Sequence, residues 1–519
     1  MRRSIAALAL AASAVVTVTS GAQTPVVDAP APVSVPPMSR EFRGVWVAAV
    51  GNIDWPSRKG LPPALQKAEL IAILDRAAAL HLNAVILQVR PAGDALYASK
   101  LEPWSEFLSG TQGQPPIPFW DPLAFAVKEA HARGLELHAW FNPYRAKDPT
   151  AKGPLAKTHI ARQRPELVKR YGTHLWMDPG ERAVRAHTLR VVLDVVKRYD
   201  VDGVHLDDYF YPYKEKRANG STEFPDDRSW KRYRRNKGTL ARDDWRRQNV
   251  DLLVEALHNG IAKSKPWVKF GISPFGIWRP GFPETVKGFD SYAELYADSR
   301  KWLHDGWVDY LVPQLYWAID KPGQRFPELL KWWVEQNPEG RHVWAGNYTS
   351  RIVARTGCCV AASAWRTPEI VAQVESTRVQ SGATGNVHFS MKAFLDDVDS
   401  VGTTLARGPY AERALVPASP WLDARAPAVP AAPKVAVRSA QPNGDPTLAL
   451  TPAGKGVVRW WAVQLRADGV WRTIVLEGNV RTARLPELLR GADAVADVVA
   501  VSAVDRVGNV SEPTILRLH

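Results

Sequence analysis

Cysteine is almost missing from this chain: its 519 residues include two, Cys358 and Cys359, side by side. A disulfide between neighbours closes a strained ring, so the fold has no covalent staple. Neither cysteine has a histidine at zinc-ligand spacing, which excludes a zinc finger and leaves the pair as loop residues. Beyond the N-terminal segment there is no run of about 18 apolar residues, so no membrane span is expected. A glycine-rich phosphate loop is missing too. Val50-Gly51-Asn52-Ile53-Asp54 follows the first strand-like run and does not supply one, which counts against a doubly wound nucleotide-binding sheet. Acidic residues are in deficit, 53 against 67 Lys and Arg, giving a formal net charge of +14.

That balance points to an anionic partner. No RNA-recognition or zinc-knuckle signature is present, so nucleic acid is not expected. The N-terminus narrows the choice. Arg2 and Arg3 precede an apolar run from Ile5 to Val18, and Ser20-Gly21-Ala22 offers small residues for cleavage. Residues 1–22 therefore read as a secretory signal, and no cysteine follows to take a lipid anchor. The expectation is an exported monomer of the periplasm or cell surface, facing an anionic cell-wall polymer. Part of the charge is local: Lys214 to Arg247 holds 12 Lys and Arg against 6 Asp and Glu. The plain alternative for that stretch is a solvated basic helix.

Apolar residues make up 45% of the chain, ample for a core, and 519 residues exceed one ordinary domain. Residues 23–40, with five prolines, read as a disordered leader. Strand-like runs then recur at Gly44–Val50, Ala84–Val89, Glu136–Phe141, Gly203–Leu206, Lys269–Ser273, Tyr310–Tyr316, His342–Asn347 and Asn386–Met391, with helical patterns between them. Eight strands alternating with helices predict an α/β fold, a (β/α)8 TIM barrel over 41–410. An Ala/Pro linker is expected at 411–433. From 434 to 519 short alternating runs predict a small all-β sandwich, and Ala503 to Ser511 resembles the last hairpin of a fibronectin type III domain.

The residues that carry chemistry collect where the barrel strands end. Gly203 to Leu206 runs straight into Asp207 and Asp208, then into Tyr209, Phe210, Tyr211 and Tyr213. Paired carboxylates at a strand's C-terminal end, walled by aromatics, suit glycosidic bond cleavage: one acid for the leaving oxygen, one base or electrostatic partner. Asp207 and Asp208 are the catalytic candidates. Adjacent strand residues point to opposite faces, so the pair can act together only if the strand has ended by Asp207. The candidate substrate-binding residues are Trp46, Gln88, Arg90, Trp140, Asn142, Tyr144, Arg145, His205, Tyr209, Trp278, Gln314, Tyr316, Trp317 and Asn347. Aromatic rings stack on the apolar faces of sugars, while amides and guanidinium groups hydrogen-bond their polar substituents.

Several blocks together resemble one family: Glu41-Phe42-Arg43-Gly44-Val45-Trp46-Val47, Gln88-Val89-Arg90-Pro91, Ala139 to Arg145, the Asp-pair segment, Phe270 to Arg279, and Val312-Pro313-Gln314-Leu315-Tyr316-Trp317. In this order they are similar to the glycosyl-hydrolase-like family 10, bacterial cell-surface proteins once known as a domain of unknown function. The resemblance implies a TIM barrel and glycoside hydrolysis, and suggests peptidoglycan glycan strands freed of their peptides as substrate; no cofactor is expected.

Two mechanisms follow from the residues. Ordinary two-carboxylate catalysis needs a second acid some distance away. The fifth and sixth strands end without one, which leaves the loop residues Glu102, Glu106, Asp226 and Asp320. Substrate-assisted cleavage needs no distant acid, because an N-acetyl group attacks its own anomeric carbon while one carboxylate orients it and another moves the proton. An adjacent Asp pair at the fourth strand resembles enzymes of that kind acting on N-acetylhexosamines, and that resemblance favours this second route. Two other classes compete: a glycan-binding protein that kept the barrel without catalysis, and a metal-dependent deacetylase using His138, His205 and Asp207. The deacetylase lacks a close His pair to anchor a metal. Arg90, Arg145 and the basic segment 214–247 are expected to flank the pocket and meet carboxylates of the glycan.

Overall fold

Eight apolar runs become the eight parallel strands of a closed barrel: β1 (Phe42–Val47), β2 (Ala84–Arg90), β3 (Glu136–Phe141), β4 (Gly203–Leu206), β5 (Lys269–Ile272), β6 (Tyr310–Leu311), β7 (His342–Asn347) and β8 (Ala383–His388). They pair in sequence order, and β8 closes on β1. The computed structural model describes residues 33–217, 220–352, 364–423, 447–452, 456–485 and 496–518. The signal segment, most of the leader, Cys358, Cys359 and the later part of the linker lie outside the described residues.

Every residue of β2, Ala-Val-Ile-Leu-Gln-Val-Arg, is buried, as a strand covered on both faces requires. Outward side chains such as Val45, Val85 and Leu87 pack under the helices. The outer ring includes α1 (Pro63–Ala79), α2 (Pro122–His131), α3 (Arg182–Arg198), α4 (Arg242–Ser264), α5 (Ser299–His304), α6 (Phe326–Glu335) and α7 (Thr367–Val379). Local chemistry sets their starts. Asp121 caps α2 by accepting from Leu123 N and Ala124 N, and Pro122 follows where no amide donor is needed.

The barrel interior is filled, and partly polar. Phe42 stacks on Trp344. Below the cavity, His205, Tyr310, His138, Glu136 and Lys269 form a hydrogen-bonded column. Glycines make room for its large members. A Cβ on Gly203 would stand 2.4 Å from His138 Nδ1, and one on Gly271 would stand 2.1 Å from the Tyr310 ring.

The C-terminal region consists of antiparallel sheets. β10 (Trp460–Ala467) and β11 (Val470–Glu477) form a hairpin, extended by β13 (Val498–Val504) and β14 (Thr514–Arg517). A second sheet pairs β9 (Thr447–Ala449) with β12 (Thr482–Arg484). Trp461, Val463 and Leu465 pack toward the second sheet's Leu448 and toward Leu485. Trp460 and Ala462 point the other way, onto Leu415. Both faces of β10 are thus covered, and its alternation vanishes in the burial pattern.

The module docks on the barrel's lower end rather than trailing from it. Arg459 Nη2 meets Asp202 Oδ1 at 2.6 Å, and His131 Nε2 takes the other oxygen at 2.9 Å. Arg506 pairs with Asp200 at 2.7 Å. The described part of the expected linker is a strap on the same end: Leu415 N donates to Ser39 O, and Trp421 Nε1 to Asp309 Oδ1. Ser39 lies in the stretch read as disordered leader, and Met38 packs against Leu415.

Burial pushes the Asp202 carboxyl up, but Arg459 and His131 outweigh it and hold it well below the ordinary carboxylate range. The charged form therefore stabilises the fold above that range, and the contribution is lost as pH falls through the depressed value. Arg459→Met leaves Asp202 short of its strongest partner. Chemical denaturation at neutral pH should show a loss of about 3 kcal/mol, shrinking in acid. Arg459→Met combined with Asp202→Asn should recover part of it.

Candidate active site

Strand periodicity builds the floor of the site. Counting inward-facing positions two by two, the uppermost layer of the barrel is Trp46, Gln88, Trp140, Asp207, Ser273 and Gln314, from strands β1 to β6 or the residues just after them. Phe389, just past β8, completes it. All seven line one cavity of about 600 Å³ at the strands' C-terminal end. On β7 the corresponding residue is Gly346, where a Cβ would stand 3.2 Å from the Trp46 ring. Loop residues raise the walls: Ile53, Arg145, Asp148, Thr150, Asp208, Tyr209, Tyr213, Phe275, Tyr316 and Tyr348. The volume lies within the range of small-ligand pockets.

β4 ends at Leu206, so Asp207 and Asp208 leave the strand and both reach the cavity. The chain beyond is anchored. Phe210 packs on Trp302, Tyr211 on Tyr296, and Trp176 Nε1 donates to Phe210 O. Asp207 Oδ2 accepts from Trp140 Nε1 at 3.2 Å and Asn142 Nδ2 at 3.1 Å. Asp208 Oδ2 accepts the Tyr213 hydroxyl. Burial pushes the Asp207 carboxyl up; Arg145 opposes this, Asp208 adds to it, and the Trp140 and Asn142 donors oppose it, leaving about 7. Burial also raises Asp208, against the donors Tyr213 and Gln314. At neutral pH the pair therefore holds a proton it can give up.

The other expected residues divide. Gln88 Oε1 accepts from Ala49 N and Val50 N, and its Nε2 has no protein partner among the described residues, leaving a donor at the cavity wall. His205 lies under the floor. Its Nε2 accepts the Trp46 indole at 3.1 Å, which fixes a neutral ring with the proton on Nδ1, facing Tyr310 Oη at 3.2 Å. Burial, then His138, lowers its pKa well below the ordinary histidine value. His138 uses both ring nitrogens, on Tyr310 and Glu136. Asn142 stands behind Asp207.

Five residues expected at the cavity lie elsewhere. A register shift between Gln88 and Arg90 sets Arg90 beside Phe141, on the outward side, where Glu102 takes its Nε at 2.7 Å. Asn347 follows inward Gly346, so it points outward and donates to Gln373. Tyr144 is buried in the core, Trp278 stacks on Trp332, and Trp317 packs on Phe275. No described residue of the basic segment lines the cavity either: Lys214 pairs with Glu223 and Glu294, and Arg246 with Asp226. Of the loop acids, Glu102, Glu106 and Asp226 are in ion pairs and Asp320 is exposed. Among the described residues, the acid that does reach the cavity with the Asp pair is Asp148, which sequence reasoning missed. It sits in Lys147-Asp148-Pro149-Thr150, a plain turn signal, and Thr150 N and Oγ1 bond its Oδ1.

Arg90 is structural, so Arg90→Met should lower stability by about 3 kcal/mol through the stranded Glu102 carboxylate. Denaturation midpoints should move while KM on any cleaved glycan stays within about twofold, as expected for a group outside the cavity.

The description "Glycosyl hydrolase-like 10" belongs to the family model that matches residues 41–357. Glycosyl hydrolase YngK of Bacillus subtilis (strain 168) is 41% identical over 418 residues, 78% of this chain and 79% of that one. Glycosyl hydrolase DigH of Escherichia coli (strain K12) is 35% identical over 335 residues, 60% and 74% of the two chains. Among solved structures, the PgaB (BpsB) glycoside hydrolase domain from Bordetella bronchiseptica overlaps 71% of this chain and 98% of that one, at 13% identity and a TM-score of 0.46. With a matching family model over most of its barrel and relatives alike over most of their length, the chain belongs to the Glycosyl hydrolase-like 10 family and is a glycoside hydrolase.

Proposed function

We propose that this enzyme is exported and cleaves an N-acetylated cell-wall glycan, peptide-free peptidoglycan strands, by substrate-assisted hydrolysis. The observation that carries the reading is the buried Asp207–Asp208 pair facing an aromatic-walled cavity, with one carboxyl poised near neutrality. Asp207 serves as the acid and then the base. It gives its proton to the glycosidic oxygen while the acetamido oxygen attacks the anomeric carbon and the leaving sugar departs. Asp208 accepts the acetamido N–H and holds that group for attack. Water then attacks the anomeric carbon, the bond to the acetamido oxygen breaks, and Asp207 takes a proton from that water. Two displacements at one carbon give net retention. Trp46, Trp140, Tyr316 and Tyr348 offer faces for sugar rings. Export rests on the charged, apolar and small-residue pattern of residues 1–22, and the cell-wall substrate on the chain's net charge of +14.

Asp148 supports a second reading, in which it is the distant carboxylate of an ordinary two-acid mechanism. Mass spectrometry of soluble products from peptide-free and intact peptidoglycan tests the substrate, with release expected from the peptide-free strands. Asp207→Asn and Asp208→Asn should each lower turnover by about 10²–10⁴-fold with an unchanged melting temperature. Asp148→Asn should retain most of it, whereas an equal loss would favour the two-acid mechanism.

The raised Asp207 also fixes the pH dependence. Its protonated form is present below pH 7 and lost as pH rises through about 7, so kcat/KM should fall on the alkaline side with a midpoint there. A pH profile with a soluble oligosaccharide checks this; a flat profile from pH 6 to about 9 would remove Asp207 as the acid.

A further inference from the structure

Arg145 is a buried cation without a hydrogen-bonded counterion among the described residues. It opens a short strand after β3, Arg145–Lys147, where its backbone N donates to Asn142 Oδ1 at 2.9 Å. The guanidinium carbon stands over the Tyr209 ring, 4.3 Å from its centroid, and the side chain lines the cavity. Its side chain is 5% exposed. Nε has no hydrogen-bond partner among the described residues. Asp148 Oδ2 stands 3.8 Å from it, beyond hydrogen-bonding reach, while the other oxygen of that carboxylate is held by Thr150. Buried guanidinium groups are normally paired and bonded, and one left open on a cavity wall is a ready receptor for an anion. Its planar fork matches a carboxylate.

We propose that Arg145 binds a carboxylate carried by the substrate, and that its occupation cancels the positive charge facing Asp207. In an N-acetylated glycan this carboxylate is an acidic ether substituent, such as the lactyl group of N-acetylmuramic acid; naming that sugar rests on the function proposed above. The charged and titratable groups around Asp207 are few. Asp208 adjoins it in the chain, Arg145 lines the same cavity from the short strand after β3, and Tyr209 and Tyr213 line it beside the pair. Asp148 faces Arg145 rather than Asp207. Of these groups, Arg145 is the one that opposes protonation of Asp207. A bound carboxylate neutralises it, so Asp207 keeps its proton to higher pH when the anionic sugar is in place. The general acid is then present to higher pH with the charged substrate than without it, and an uncharged oligomer of equal length lacks the effect.

Isothermal titration calorimetry of the full chain with N-acetylmuramic acid and with N-acetylglucosamine near pH 7, in two buffers of different ionisation heat, tests both halves without cleavage. N-Acetylmuramic acid should bind about tenfold more tightly, as a charge-assisted hydrogen bond provides, and its binding should take up protons. The preference should vanish in Arg145→Gln and partly return in Arg145→Lys, and the uptake should vanish in Asp207→Asn. In pH profiles of kcat, the alkaline limb on a carboxylated oligomer should lie about one unit above that on an uncharged one. Equal affinity for the two sugars in the wild-type protein, a preference that survives Arg145→Gln, or binding without proton uptake would each overturn the proposal. If no glycan is cleaved but the preference and uptake are present, the cleavage reading fails and this one stands.

Discussion

Two neighbouring carboxylates buried at the end of one strand are the constraint on which this site depends. Burial makes ionising either carboxyl costly, and the charge of Asp208 adds to that cost at Asp207, so one carries a proton near neutral pH. The surroundings decide which one, and how readily. Trp140 and Asn142, both from β3 or just beyond it, aim donors at Asp207, while Tyr213 donates to Asp208. The strand must stop at Leu206 for the two side chains to share a cavity, and Phe210 and Tyr211, fixed in the core beyond, hold that stop in place.

The layer beneath serves the same end. Because the Trp46 indole can only donate, His205 is a neutral acceptor, and the protons of the column run one way: from His205 to Tyr310, from Tyr310 to His138, and from His138 to Glu136, which Lys269 completes. A polar column in a barrel core is costly unless every member is bonded, and here each member is. It holds Trp46 upright in the floor. At the opposite end, ion pairs from Arg459 and Arg506 bind the C-terminal sheets to the turn before β4, so the strand that carries the carboxylates is braced from below.

Most of the barrel was legible because strands covered on both faces read as apolar runs, and helices between them have their own period. The cavity floor was legible for a related reason: one residue in two faces inward, so Trp46, Gln88, Trp140, Asp207 and Gln314 were recoverable by counting. Counting failed where the backbone slipped. The irregularity at Gln88 and Arg90 turned an arginine from the cavity to Glu102, and nothing in Gln-Val-Arg-Pro announces it. Arg90 and Arg145 look alike in sequence, since each stands at or just past the end of a barrel strand beside a proline, yet the first has a carboxylate partner and the second an open cavity. Asp148 read as a turn residue because its turn chemistry is real. The docking of the C-terminal sheets was illegible because their second buried face is covered by the barrel, not by a partner within the module.

The shared proton is open to direct measurement. Carbon-13 NMR of aspartate-labelled protein, with Asp207 assigned by its loss in Asp207→Asn, follows the carboxyl through its titration. The account predicts a midpoint near pH 7 in the wild-type protein, and a clear downward shift in Asp208→Asn, where the neighbouring charge is gone. An Asp207 that titrates in the ordinary carboxylate range around pH 4, with no response to Asp208→Asn, would contradict it.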